Sequence, residues 1–189
     1  MANKDAAFGL KPIRKVGQNR DSQGLSEYSI AASSSAIYFN DPVIMAATGE
    51  VQVAAAGNVL LGSLGGIFFT DASTSKPTYA NHLDASNTAT DIVGFISDDP
   101  YERFEVQSDN SGASAQTDIG NVADIVYAAG SSPDYVSKVE LDDSDLATSD
   151  GQLKVIGVSK DPANNEIGSA NVNFVVTINE HFLKQEAGV

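Results

Sequence analysis

The side chains able to do chemistry are few and scattered. His82 and His181 are the two imidazoles, and the chain has no cysteine. Without a thiol there is no disulfide, thiolate metal site or cysteine nucleophile. Two histidines far apart in sequence fall short of the three or four ligands that zinc needs. No Gly-x-Ser-x-Gly elbow is present to expose a serine. Carboxylates remain. Asp98 and Asp99 are adjacent, with Glu102 and Glu105 close behind, which is raw material for paired acid/base glycoside chemistry. The plainer reading makes Asp98-Asp99 a corner and puts Glu105 on the solvent face of a strand. Asp142, Asp143 and Asp145, with Asp150-Gly151, could attract calcium. An EF-hand counted from Asp143 fails, because Thr148 stands where glycine is wanted and Lys154 where glutamate is wanted. A solvated acidic loop is favoured over an irregular oxygen site. Gly62–Gly66 follows an apolar run but lacks the Lys-Ser/Thr of a phosphate cradle. The expectation is a chain without catalysis, cofactor or metal.

Charge points to an interaction instead. The net charge is −14, from 11 basic and 25 acidic residues. Lys4, Lys11, Arg14, Lys15 and Arg20 all lie in the first 20 positions, with Asp5 the lone acid there. That segment is +4, which leaves six basic and 24 acidic side chains, −18, on the remainder. An acidic body repels phosphate backbones, so nucleic acid is not an expected partner. A basic segment on an acidic body suits an acidic protein surface, and Lys11, Arg14, Lys15 and Arg20 are the candidate partner-binding residues. The rival reading is a solvated tail. No apolar run reaches the roughly 20 residues needed to span a membrane, and Met1–Asp5 is too polar to read as an export signal.

The elements that must position these residues read as strands. Ile92–Ile96 is nearly all apolar, as a strand buried on both faces would be. Arg103–Gln107 alternates: Phe104 and Val106 face one way, Arg103, Glu105 and Gln107 the other. Ser97-Asp98-Asp99-Pro100 is the corner between them. Gly94 predicts a bulge or a close approach of another backbone. Ile156–Pro162 repeats the glycine and the Asp-Pro stop, and Asn40-Asp41-Pro42 is a further Asp-Pro corner; curved-sheet corners and chance both explain the echo.

Further strands are expected at Glu27–Ala31, Ala36–Phe39, Val43–Ala47, Val51–Val53, Val59–Leu61, Ile67–Phe69, Ala123–Tyr127, Leu153–Ser159 and Val172–Asn179. Residues 70–90 and 108–117 read as polar loops, long enough at 70–90 to touch a partner. No stretch keeps helical periodicity over three turns. The predicted fold is all-β: a compact β-barrel or jelly-roll-like sandwich over 25–189, an extended basic N-terminal arm over 1–24, and long polar loops.

Four blocks carry a resemblance. They are Met1–Pro12, Asp98-Asp99-Pro100 with Phe104–Gln107, Gly151–Gly157, and Ile178–His181. In these the chain resembles the head decoration, or cement, proteins of tailed bacteriophages, in scattered blocks over most of its length. The resemblance implies a virion structural protein made in the host cytoplasm and carried on the outer surface of the head. Its partners would be the major capsid protein and itself, as a homo-oligomer (dimer or trimer), and it would stiffen the shell against internal DNA pressure. It supplies no catalytic residue. The alternative is a phage tail or host-surface adhesion module that binds glycans through the 70–90 loop.

Overall fold

The computed structural model describes residues 2–15, 24–32 and 34–184. It is an all-β sandwich, with 39% of residues in strands and 5% helical. The strands are β1 (Lys11–Lys15), β2 (Ser26–Ser29), β3 (Pro42–Met45), β4 (Val51–Val53), β5 (Gly62–Thr70), β6 (Pro77–Ala80), β7 (Val93–Ser97), β8 (Glu102–Gln107), β9 (Val122–Ala123), β10 (Ile125–Val126), β11 (Glu140–Leu141), β12 (Leu153–Val158) and β13 (Asn173–Ile178). They form two large sheets and a small pair, β10–β11. The first sheet runs β1-β8-β13-β12-β9; the second runs β2-β7-β5-β3-β4, with β6 also on β5. Every ladder is antiparallel. Among the described residues both sheets are open, as in the sandwich of the expected shapes.

The corner at Asp98-Asp99 joins the sheets: β7 lies in the second and β8 in the first. Side-chain bonds fix the corner between them. Asp98 accepts from the Ser26 hydroxyl at 2.9 Å and the Tyr28 hydroxyl at 2.6 Å. Asp99 accepts from the backbone N–H of Tyr101 at 2.8 Å. Each sheet then buries its own apolar cluster. Phe104, Val106, Leu153, Val155, Phe174 and Val176 are fully buried in the first; Val43, Leu61, Leu64 and Ile96 in the second. Leu60 belongs to one cluster and its neighbour Leu61 to the other, as alternation along an extended chain requires. Among the described residues no helix is long and apolar enough to cross a membrane.

Several expectations need correction. Residues 2–15 are extended, but they lie on their own body instead of projecting from it. Asn3 donates to the carbonyls of Glu166 and Ala170. Leu10 is fully buried, its N–H on the Asn40 carbonyl and its own carbonyl on the Ser63 hydroxyl. β1 completes the first sheet beside β8. The same segment buries Gln107, expected to face outward: its side chain accepts from the Ala6 N–H at 2.8 Å and donates to the Lys4 carbonyl at 3.0 Å. Distant backbone thus overrides the strand's alternation.

Inside the 70–90 loop, β6 pairs with β5, and Asp71 ties the turn between them by accepting from Ser73 and Thr74. The expected strands at 36–39 and 59–61 reduce to isolated bridges at Ile37, Phe39 and Leu60. The one expected over 123–127 breaks at Asp124 into β9 and β10, which serve different sheets.

The two glycine positions divide the expected roles. A Cβ on Gly94 would meet Ile30 at 2.8 Å, so that site is a close approach, of a side chain. Gly157 adjoins a bulge in β12, where the register slips between Val155 and Gly157. The echo ends there, because Asp161-Pro162 leads back to β13 in the same sheet while Asp99-Pro100 changes sheets.

Candidate functional site

Strand β1 carries three of the four basic residues picked out from the sequence; Arg20 lies outside the described residues. Lys11 and Lys15 are engaged within the chain. Lys11 stands 3.5 Å from Glu105, and Lys15 stands 2.7 Å from Asp99. The hydrogen bond that Lys15 donates to Asp99 raises the Lys15 pKa, and the Asp99 carboxyl is held below its usual range, because burial is outweighed by the bonds from Lys15 and the Tyr101 N–H together with the nearby positive charge. Arg14 is different: it is exposed and has no ion pair among the described residues. The register skips Ile13 and sets Arg14 opposite Arg103, a like-charge pair that weakens a ladder. The Arg103 Nε is itself buried without a hydrogen-bond partner.

Strand alternation puts Arg103 and Glu105 on the outer face of the first sheet, away from Phe104 and Val106. Val175, on β13, pairs with Glu105 of β8 and with Gly157 of β12. A groove of about 300 Å³ opens here, lined by Ile13, Arg14, Glu105, Val158, Ser159, Lys160 and Val175. Its floor is apolar. Arg14 and Lys160 are cations on its wall, Arg103 lies beside Arg14, and its carboxylate, Glu105, is already held by Lys11. Guanidinium groups over an apolar floor take carboxylates well, since the fork matches two oxygens at once. The sequence pointed to Arg14. It missed Lys160, which lines the groove, and Arg103, which strand pairing sets beside Arg14.

The other candidates have structural duties. Asp98 and Asp99 hold the corner, Glu102 is buried with its pKa pushed up by burial, and Glu105 lies on the opposite face of β8. Asp98, Asp99 and Glu102 all act on Lys15, and Glu105 stands apart from them on Lys11. His181 is buried, and its Nδ1 accepts from the Leu183 N–H; burial pushes its pKa down to about 4. His82 stacks on Tyr135, with ring centroids 3.8 Å apart and planes within 3°.

Asp142 and Asp109 accept bonds from Ser144, Ser111 and the Asp143 N–H, which ties the acidic loop to itself. The Asp143 carboxyl turns inward, and burial, then the nearby Asp109, Asp118 and Asp142, push it up to about 7. Among the described residues no three His, Cys, Asp or Glu side chains stand close enough to hold a metal ion.

Two features went unseen in the sequence. Asp41 is fully buried, accepting from the Tyr38 N–H at 2.8 Å, and burial raises its pKa to about 6. The Asp-Pro corner was its only signal. On the outer face of the second sheet, Tyr79 is 75% exposed and rests on Phe68, 4.8 Å between ring centroids, with Phe95 at 6.2 Å. Near this sheet's end a polar cleft of about 290 Å³ is lined by Asp71, Ser73, Asp84 and Asn87 among others. No family model, no curated protein and no solved structure matches the chain.

Proposed function

We propose that this protein is a capsid decoration protein of a tailed phage, bound to the outer surface of the assembled head. The blocks that resemble such proteins are scattered in sequence but meet in one sheet, and this observation carries the reading. From residue 2 the first block runs into β1, Phe104–Gln107 lies in β8 after the Asp98-Asp99-Pro100 corner, Gly151–Gly157 opens β12, and Ile178 closes β13. Strands β1, β8, β13 and β12 are consecutive neighbours. That sheet also bears the basic groove, to which the resembling blocks contribute Glu105. Its partners are the major capsid protein and other copies of itself. Many weak contacts repeated over a lattice hold such subunits tightly without a deep pocket.

Co-sedimentation with undecorated phage heads tests this. Saturable binding, together with heads that withstand heating better when coated, is expected. Protein left in the supernatant at every ratio would remove the proposal.

The exposed Tyr79, backed by Phe68, favours a second reading, a tail or host-surface module that stacks on sugar rings. A glycan-array signal that is lost in Tyr79→Ala would support it.

A further inference from the structure

The first sheet carries opposite charges at its two edges. At the β1 edge, Arg14 and Lys160 line the groove with Glu105 the acid among them, and Lys11 and Arg103 stand beside Glu105 and Arg14, a local charge of +3. The rest of the chain keeps seven basic and 24 acidic residues, −17. At the other edge, β9 runs into Asp124, the loop after β11 brings Asp142 and Asp145 beside it, and the exposed Asp150 precedes Gly151, which abuts Ala123 of β9. Asp145 accepts from the Asp124 N–H, and Asp124 accepts from the Gln152 N–H. Asp118 and Asp109 flank Asp143. Four strand spacings of about 4.8 Å separate the two edges, about 19 Å in all.

We infer that the groove at the β1 edge takes the acidic rim at the β9 edge of a second copy of this chain, head to tail. A two-fold pairing of the groove with itself would set Arg14, Arg103 and Lys160 against their own kind, and the acidic rim has the same difficulty. Only unlike edges complement each other, and unlike edges make a heterologous contact that closes into a ring when the rotation allows. The apolar floor of Ile13, Val158 and Val175 adds area that water leaves on docking. Arg14, without an ion pair among the described residues and repelled by Arg103, gains most from an incoming carboxylate. The contact stands apart from head binding: a ring can form in solution before any capsid is met.

Sedimentation of the full chain at about 50 mM and about 500 mM salt reads the assembly, because exposed charge pairs weaken as the screening length shrinks. The wild type is expected to form a species larger than a monomer that dissociates at high salt. Arg14→Glu with Lys160→Glu, and separately Asp145→Lys with Asp150→Lys, are each expected to weaken assembly at least about tenfold, with melting temperatures checked alongside. Mixed one to one, the two variants present complementary edges again and should reassemble. The second pair changes exposed loop positions, so it stays informative even where the first pair disturbs the sheet. Three outcomes would overturn the inference: a wild type that is monomeric at both salts, reversals without effect, or a mixture that stays apart. A monomer that still coats phage heads would overturn it too, while leaving the decoration role standing.

Discussion

The free face of the first sheet is charged, and that of the second is aromatic. Both sheets are antiparallel and each buries one face in its own cluster. Yet Arg14, Arg103 and Lys160 gather outside one, while Phe68, Tyr79 and Phe95 stack outside the other. Buried faces are constrained by packing in the same way and come out alike. Free faces answer to whatever they meet. A charged face acts over roughly the 8–10 Å of the screening length and loses strength in salt; an aromatic face acts on contact and is largely indifferent to salt. Two kinds of surface on one small body suit a subunit that must both find its neighbours and sit on something else.

The contrast between buried and free faces can be broken most severely at Phe104. Phe104→Asp is expected to abolish folding, because an unpaired buried charge costs several kcal/mol, on the order of the stability of a whole domain. Phe95→Asp, on the free face of β7, should leave a folded protein. Urea melts of the pair measure the difference, and equal loss would erase the distinction.

The N-terminal segment comes next. Leu10→Ala is expected to cost about 2–5 kcal/mol by opening a cavity. Removal of residues 2–10 should lower the melting temperature strongly, because Leu10 and the backbone partners of Gln107 go with it. A deletion that melts like the full chain would return the segment to the status of a free arm.

Acidity acts more gently, through the buried and half-buried titratable groups. Asp41 is raised to about 6, and Glu140 and Asp143 to about 7, chiefly by burial. A carboxyl whose folded pKa is raised holds its proton more firmly when folded. Its stabilising effect is complete below the unfolded value near 4 and is lost as pH rises through the folded pKa. His181, lowered to about 4, opposes this, since its effect is complete above about 6.5 and is lost as pH falls towards 4. Three carboxyls outweigh one imidazole, although Glu140 and Asp143 are part-exposed and count for less. The melting temperature is therefore expected to rise by a few degrees from about pH 8 to about pH 5.5. Asp41→Asn should flatten part of that slope. A wild-type optimum at pH 8 would contradict the assignment.

The smallest effect is expected at Arg14 itself. Arg14→Ala relieves the repulsion with Arg103, so stability should change by no more than about 0.5 kcal/mol while self-association weakens. Thermal melts beside sedimentation separate the two readouts.

The parts legible in the sequence were those whose causes are local. Phe104 and Val106 alternate with polar neighbours, and so do Phe174 and Val176, so their burial and the strands β8, β12 and β13 could be read from period two. The Asp98-Asp99-Pro100 corner announces itself through proline and its two carboxylates. What could not be read depends on residues far apart in the chain. Gln107 is buried because Lys4 and Ala6 lie on it. Pro77-Thr78-Tyr79-Ala80 has no pattern of its own and becomes β6 only beside β5. The basic cluster was legible as a run near the N-terminus, but the groove was not. Lys160 joins Arg14 there only because β1, β8, β13 and β12 line up in that order.

Electron cryomicroscopy of undecorated phage heads mixed with the purified protein tests the decoration role most directly. The account predicts added density at one class of lattice position over the whole shell, in closed rings that bring the β1 edge of each copy to the β9 edge of the next. Bare heads at saturating protein would contradict it.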